Sequence, residues 1–253
     1  MTRKIEVHFL PELVASESLR GATVVVIDVL RASTTIAQAL AAGAKEVVPF
    51  RDVDATRRHS ESLPRESYVL GGERGGVMID LFDLGNSPAE YTPESVGGRS
   101  VLFTTTNGTK ALERCREAYR VLIGAAVNLA AVCESLGETL NIQLLCAGTA
   151  GEVTREDVLL AGAIAYQLSR HDEGIELNDS AQIAIAGWRN IVARAVGAGK
   201  SVSDHLAAEF RATRGGRNLL QIGHGDDLTL ASRIDSLAIV PELDLQNWRI
   251  GLP

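Results

Sequence analysis

The chain has 253 residues, of which 45% are hydrophobic and 4% aromatic, and its formal net charge at pH 7 is -7. An acidic chain with few aromatic rings lacks the cations and stacking surfaces of a general nucleic-acid binder. It has no apolar run near the ~18 residues that span a bilayer, and its first residues do not resemble a secretory signal. We therefore expect a protein that binds neither nucleic acid nor membrane.

The cysteines and histidines indicate in which cellular compartment the protein works and which metal ion it could bind. Cys115, Cys133 and Cys146 are odd in number and widely spaced, so they predict no disulfide framework. Free thiols are typical of a reducing compartment, and we expect a cytoplasmic protein. The five histidines contain no pair at the spacing of zinc ligands, so carboxylates with Mg²⁺ are the expected metal chemistry.

Apolar runs and helical patterns alternate along the chain. In chain order, the predicted elements are a strand at 23–29, a helix at 31–42, strands at 46–50, 67–70 and 100–104, a helix from Lys110, strands at 120–123 and 141–146, helices at 154–170 and 178–196, and a strand at 236–240. This alternation is typical of a three-layer α/β/α fold with a largely parallel or mixed sheet. Residues 1–253 then form a single α/β unit, or two lobes whose boundary is open.

Three predicted strands end in polar loops that lead into helices. These loops read DVLRASTT from Asp28, TTTNGT from Thr104 and CAGTAG from Cys146. Ligands of open α/β sheets bind outside the carboxyl ends of the strands, where helix N-termini offer free N–H groups. The repetition on three strands predicts a site for a small anion, with phosphate as the first expectation.

Each loop alone also has a purely structural interpretation. Asp28 can cap the following helix, and Asp157 can form a capping box with Thr154. Asn107 and Gly108 can form only a tight turn. These alternatives stay open at the level of sequence.

The segment GGERGG, residues 71–76, packs a charged pair between two glycine pairs. It is either a flexible surface loop or a functional loop, in which Glu73 binds a metal and Arg74 clamps an oxyanion. Common catalytic motifs are missing elsewhere. Residues 197–201 resemble a phosphate-binding loop, but Arg194 occupies the position of its first glycine.

Taken together, the polar segments make the chain similar to a known protein family over nearly its whole length. Five motifs occur in order: VVIDVLRASTTIAQALAAGAKEVVPF from Val25, GGERGG from Gly71, DLGNSP from Asp83, TTTNGTKAL from Thr104 and CAGTAGEVTREDVLLAGA from Cys146. In these motifs the chain resembles the 2-phosphosulfolactate phosphatase family, and a fainter match runs from Gly223 to Pro241. The resemblance implies Mg²⁺-dependent hydrolysis of 2-phosphosulfolactate to sulfolactate and phosphate, as in coenzyme M biosynthesis. It also implies an active site in a cleft between two lobes.

The matching motif positions imply the members of the site. The catalytic candidates are Asp28, Arg31, Glu73, Asn107, Cys146 and Asp157. The substrate-binding candidates are Arg31, Arg74, Asn86, Ser87, Thr105, Asn107, Gly108 and Thr109. The metal candidates are Asp28, Glu73 and Asp157, and Glu156 is a further position of the site.

The expected substrate carries phosphate, sulfonate and carboxylate groups, so the site of this acidic chain should be locally positive. We expect Arg31 and Arg74 to be the main anion clamps, because a bidentate guanidinium contributes more than a helix terminus. The predicted mechanism is metal-assisted attack by water with a carboxylate as base. A covalent intermediate on Cys146 or Asp28 is the alternative.

Two other functions stay open. The same chemistry can act on phospholactate or another small phospho-acid, and residues 175–215, which match no motif, leave substrate contacts undefined. A non-catalytic protein that binds anionic metabolites is the second alternative, although it gains nothing from acidic residues near its ligand. We expect a homodimer, the commonest state of a soluble enzyme of this size.

Overall fold

The computed structural model describes residues 2–170 and 174–253. The strands within these ranges are β1 (Lys4–His8), β2 (Thr23–Ile27), β3 (Glu46–Pro49), β4 (Tyr68–Arg74), β5 (Val77–Met78), β6 (Ser100–Thr104), β7 (Arg120–Gly124), β8 (Asn141–Cys146), β9 (Glu176–Leu177), β10 (Glu242–Asp244) and β11 (Arg249–Gly251). The helices are α1 (Ala32–Ala41), α2 (Val53–Ser60), α3 (Pro93–Val96), α4 (Gly108–Arg114), α5 (Leu129–Leu136), α6 (Arg155–Ser169), α7 (Asp179–Gly197), α8 (Val202–Ala212), α9 (Arg214–Gln221) and α10 (Gly225–Ala231). His171, one of the five histidines considered as zinc ligands, lies outside the described residues.

The strands form one mixed sheet in the order β5-β4-β6-β3-β11-β10-β7-β2-β8-β1-β9. The hairpin β10–β11 lies antiparallel between β3 and β7, and it separates two groups of parallel strands. One group is β4, β6 and β3, and the other is β7, β2, β8, β1 and β9. The predicted α/β fold with a mixed sheet is confirmed, whereas its division into two lobes stays a prediction.

Strand β2 shows why the sheet is covered on both faces. Its residues are all buried, and alternate side chains point to opposite faces. Val25 and Ile27 belong to a core cluster with α6 and α7, whereas Val24 and Val26 belong to one with α1 and α4. Burial of each such side chain contributes about 1.5–3 kcal/mol. The continuous apolar run of β2 therefore follows from a three-layer arrangement.

The structure corrects the prediction for the 71–76 segment. Strand β4 does not end at Leu70; it continues through Arg74 and turns back into β5. The two glycines stay in the ladder because Gly71 and Gly72 pair with Phe103 and Thr104 of β6. The segment is thus the end of a strand and the turn of a hairpin, not an isolated loop.

The predicted strand at 236–240 is wrong. This stretch crosses the start of α5 as irregular chain, where the Leu237 N–H donates to the Val127 carbonyl at 2.8 Å. The Asn128 amide also donates to the Ile239 carbonyl at 3.1 Å. These bonds satisfy its backbone without a strand partner, and the sheet hairpin follows Pro241. No helix within the described ranges is long and apolar enough to cross a membrane.

Candidate active site

A pocket of about 350 Å³ opens at the carboxyl ends of β2, β4 and β6. Its strand-end wall includes Asp28, Arg31, Glu73, Thr105 and Asn107. Its opposite side, the α9 wall, consists of Gly215, Asn218, Leu219, Gln221 and Ile222. The strand-end wall combines acids, a guanidinium and polar loop residues, which is the composition expected where ligands bind an open α/β sheet.

Asp28 follows β2 and is only 6% exposed. One carboxylate oxygen accepts the Ala32 N–H at 3.3 Å, so Asp28 both contacts the start of α1 and lines the pocket. Behind it lies a small void of about 10 Å³ bordered by apolar side chains such as Val26, Phe103 and Ile123. Burial in these surroundings, and then the charge of Glu73, raise the pKa of Asp28 to about 7.

Gly108, the first residue of α4, allows this helix to approach Asp28. A Cβ atom at position 108 would lie 3.0 Å from Asp28 Oδ2 and 2.9 Å from the Ala32 methyl group. Only glycine therefore brings the N-terminus of α4 this close to the carboxylate without displacing a neighbour. Asn107 completes the turn, and its side-chain oxygen accepts the Ala150 N–H at 3.0 Å. That bond joins the loops after β6 and β8, so Asn107 does more than form a turn.

Glu73 connects the β4–β5 hairpin to the loop after β6. Its carboxylate accepts the Gly76 N–H at 2.6 Å and the Thr106 N–H at 2.7 Å. The Thr106 hydroxyl donates to the same carboxylate at 3.2 Å. A carboxylate offers about four lone-pair sites, so Glu73 keeps acceptor capacity toward the pocket.

Arg31 is buried in a polar network that includes the start of α10. Its guanidinium lies 2.8 Å from Asp227, and both side chains are almost fully buried. It also donates to the Gly76 carbonyl at 2.6 Å. The second Asp227 oxygen accepts the Ser87 hydroxyl at 2.5 Å. Arg31 is therefore held in place and partly neutralised before any ligand binds.

Asp157, a predicted metal ligand, joins two of the strand-end loops instead of lining the pocket. Its carboxylate accepts the Val29 N–H at 2.8 Å, the Gly148 N–H at 3.0 Å and the Thr154 hydroxyl at 3.1 Å. Thr154 thus donates to Asp157, which differs from a capping box, where the threonine oxygen accepts a backbone N–H. Burial and then the charge of Asp28 raise the pKa of Asp157 well above its usual range.

Two buried oxygen atoms near the pocket have no hydrogen-bond partner among the described residues. They are Asn86 Oδ1, whose residue lines the pocket, and Glu156 Oε2. Burial raises the pKa of Glu156. Buried polar atoms are rarely left unpaired, so these two point to a bound group. Within the described ranges no three Asp, Glu, His or Cys side chains are grouped to hold a metal ion.

Cys146, predicted as a catalytic residue, is fully buried at the end of β8 and belongs to a core cluster. Burial raises the pKa of its thiol well above the usual range. The thiolate is the nucleophilic form of cysteine, and apolar surroundings disfavour it. The site around Cys146 is therefore unsuited to a covalent thiol intermediate.

The pocket collects about half of the residues predicted from sequence. Those that line it are Asp28, Arg31, Glu73, Asn86, Thr105 and Asn107. Those that lie beside or behind it are Arg74, Ser87, Gly108, Thr109, Cys146, Glu156 and Asp157. Arg74, expected to clamp an anion, donates to the Glu73 carbonyl and the Thr104 hydroxyl at 2.7 and 2.9 Å. Its guanidinium thus supports the β4–β6 ladder.

Sequence reasoning missed two parts of the site. The first is Asp227, although it lies in the faintly matching segment after Gly223, which was a usable signal. The second is the α9 wall, whose residues belong to no motif. Asn218 and Gln221 are ordinary polar residues in the sequence, and only the fold brings them into one pocket with Asp28.

Comparison with known proteins gives a consistent match. A family model described as 2-phosphosulpholactate phosphatase matches residues 8–246. A probable 2-phosphosulfolactate phosphatase of Symbiobacterium thermophilum is 39% identical over 227 residues, 89% of this chain and 93% of that protein. One of Synechococcus sp. strain JA-3-3Ab is 39% identical over 225 residues, 87% of this chain and 88% of that protein. One of Thermosynechococcus vestitus is 37% identical over 244 residues, 94% of this chain and 95% of that protein.

Proposed function

Because the chain belongs to the 2-phosphosulfolactate phosphatase family, we propose that it hydrolyses 2-phosphosulfolactate to sulfolactate and phosphate. The observation that carries the proposal is the convergence of Asp28, Arg31 and Glu73 with Asn107 in one pocket. This combination offers a proton acceptor, a guanidinium and a second carboxylate at one place. An activity of this kind would serve coenzyme M biosynthesis.

The charge of the pocket supports dependence on a divalent cation. Its described lining includes the carboxylates Asp28 and Glu73 but a single guanidinium, which is already paired with Asp227. A substrate with three acidic groups would be repelled by such a wall. The lining side chains are therefore less positive than expected from sequence, and this supports an added cation in the site.

The oxygen donors of the pocket fit Mg²⁺. This ion takes one or two carboxylates and keeps several waters, so it does not need a cluster of three acids. Glu73 and Asn86 would hold it, since Glu73 keeps about one free lone-pair site and Asn86 Oδ1 is buried without a described partner. The ion would neutralise charge that develops on the phosphoryl oxygens. Asp157 instead holds the loops that shape the site.

The chain's own residues account for the remaining steps. Asp28 accepts a proton from the attacking water, since a pKa near 7 suits a base that works at neutral pH. Arg31 orients the phosphate group. The bond between phosphorus and the ester oxygen breaks, its electron pair goes to that oxygen, and water protonates the alkoxide. Attack by water is favoured over attack by Cys146 because that thiol is buried and off the pocket.

The test is phosphate release from 2-phosphosulfolactate in MgCl₂ and in EDTA. We expect release by the wild-type protein only with Mg²⁺. We also expect a loss of about 100-fold or more in Asp28→Asn, the size of a missing general base. Glu73→Gln should raise the Mg²⁺ concentration needed for half-maximal activity. Asp80→Asn is the matched control, because Asp80 is exposed and outside the pocket.

Two outcomes would contradict the proposal in different ways. Calorimetric binding of the substrate without phosphate release, with Mg²⁺ present, would identify a binding protein. Full activity of folded Asp28→Asn and Glu73→Gln would show that hydrolysis takes place elsewhere on the chain. The expected homodimer stays a prediction, for which sedimentation velocity is the direct measurement.

A further inference from the structure

The α9 wall differs chemically from the strand-end wall of the same pocket. It presents two side-chain amides, Asn218 and Gln221, together with apolar Leu219 and Ile222, and it contains no carboxylate. Positions 215, 218, 219 and 222 fall on one face of a helix, so this face of α9 is turned toward the pocket. The pocket thus has an acidic side and a neutral, hydrogen-bonding side.

Close packing of two glycines holds α9 in this position. A side chain at Gly215 would collide with the Glu156 carboxylate, and one at Gly216 would collide with the Phe210 carbonyl. Thr213 caps the helix, with its hydroxyl oxygen accepting the Gly216 N–H at 3.1 Å. The N-terminal turn of α9 is therefore seated against α6 and α8, and the amides extend from a fixed element.

The amide groups of Asn218 and Gln221 are free to bind a ligand. Neither side chain forms a hydrogen bond with any residue in the described ranges, and both are exposed to the pocket and solvent. Each amide nitrogen supplies two N–H donors. Hydrogen bonds from neutral donors to a charged acceptor are stronger than those between neutral groups.

We propose that Asn218 and Gln221 bind the sulfonate of the substrate, and that they determine selectivity between 2-phosphosulfolactate and phospholactate. This inference rests on the proposed function, because it assumes that the phosphate group lies against Asp28 and Arg31. The remaining end of a small substrate then faces α9. An anionic group is repelled less there than beside Asp28 and Glu73. Phospholactate carries a methyl group where 2-phosphosulfolactate carries a methylene sulfonate, so with this position at α9 only 2-phosphosulfolactate places an acceptor there.

The experiment measures kcat/KM for both substrates in the wild-type protein, Asn218→Ala, Gln221→Ala and the double variant. We expect the ratio of kcat/KM for 2-phosphosulfolactate over phospholactate to fall about 10-fold in each single variant. The double variant should lose most of the preference. Arg217→Gln is the control, since Arg217 lies on the same helix, is exposed and does not line the pocket.

A second measurement, product inhibition, reports binding alone and does not depend on the rate of hydrolysis. Inhibition by the product, 3-sulfolactate, should weaken by a similar factor in the same variants, whereas inhibition by inorganic phosphate should change much less. Because both positions are exposed, thermal melting should confirm that the variants fold. An unchanged substrate ratio in folded, active variants would overturn the inference and leave the proposed function intact. Hydrolysis of neither substrate by the wild-type protein would instead refute the proposed function.

Discussion

Replacement of Asp28 by asparagine should make the metal-free protein more stable at pH 8 but not at pH 4. The side chain of asparagine has nearly the shape of aspartate and can still accept the Ala32 N–H. It cannot ionise, so it avoids the cost of a buried charge beside Glu73. Asp28→Asn is therefore expected to lose activity and to gain folding stability. Such an exchange is common because active-site residues are often selected for function at the expense of stability.

The magnitude follows from the pKa of Asp28, which is about 7 in the folded protein and ~3.9 in an unfolded chain. Between these two values the folded state holds one proton more than the unfolded state, so stability falls as the pH rises. Each pKa unit is equivalent to ~1.4 kcal/mol, which gives a loss of about 4 kcal/mol between pH 4 and pH 7. Above pH 7 this contribution no longer changes.

The assay is urea denaturation in EDTA at several pH values from 4 to 8. The difference in unfolding free energy between Asp28→Asn and the wild-type protein should be small at pH 4 and should reach a few kcal/mol at pH 8. Asp80→Asn should follow the wild-type curve within about 0.5 kcal/mol, as expected for an exposed position. Parallel curves for Asp28→Asn and the wild-type protein would refute the assignment of a raised pKa to Asp28.

Three further predictions test the supports of the site. Asp227→Ala leaves Arg31 buried without its partner and should cost about 3–5 kcal/mol in urea denaturation, whereas a loss below 1 kcal/mol would argue against a buried pair. Cys146→Ala should keep kcat near that of the wild-type protein, because the thiol is fully buried. Loss of turnover in a folded variant would instead support a covalent intermediate on Cys146. Gly108→Ala should lower kcat/KM by about 100-fold through displacement of Asp28, and unchanged kinetics would show that α4 has room to move.

The strand ends of the site were predictable because their signals are local. Strands β6 and β8 have the predicted bounds, and β2 ends two residues before the predicted limit. Each is an apolar run that stops at a polar residue, and parallel strands place such ends at one edge of the sheet. Asp28 and Thr105 could therefore be assigned to one pocket without any knowledge of contacts.

The function of a carboxylate within that pocket was less predictable, since it depends on partners that are distant in sequence. Asp157 was expected to bind metal, but it does not line the pocket. Its carboxylate accepts hydrogen bonds from Thr154 and from N–H groups of two loops, one of them 128 residues away. The partner of Arg31, Asp227, is 196 residues distant. Sequence spacing shows which groups reach the edge of the sheet, but not which of them are already neutralised there.

The pairing of charged groups in the fold also changes how the acidic composition of the chain should be interpreted. A chain of net charge -7 was expected to concentrate arginines at its anion site, yet Arg74 lies off the pocket and Arg31 is paired with Asp227. The guanidinium of a buried pair can still orient an anion, but it adds little net positive charge. Positive charge at the pocket then depends on a bound cation, since a proton at Asp28 only removes a negative charge. Because Asp28 loses its proton above about pH 7, substrate affinity should depend most strongly on Mg²⁺ at alkaline pH.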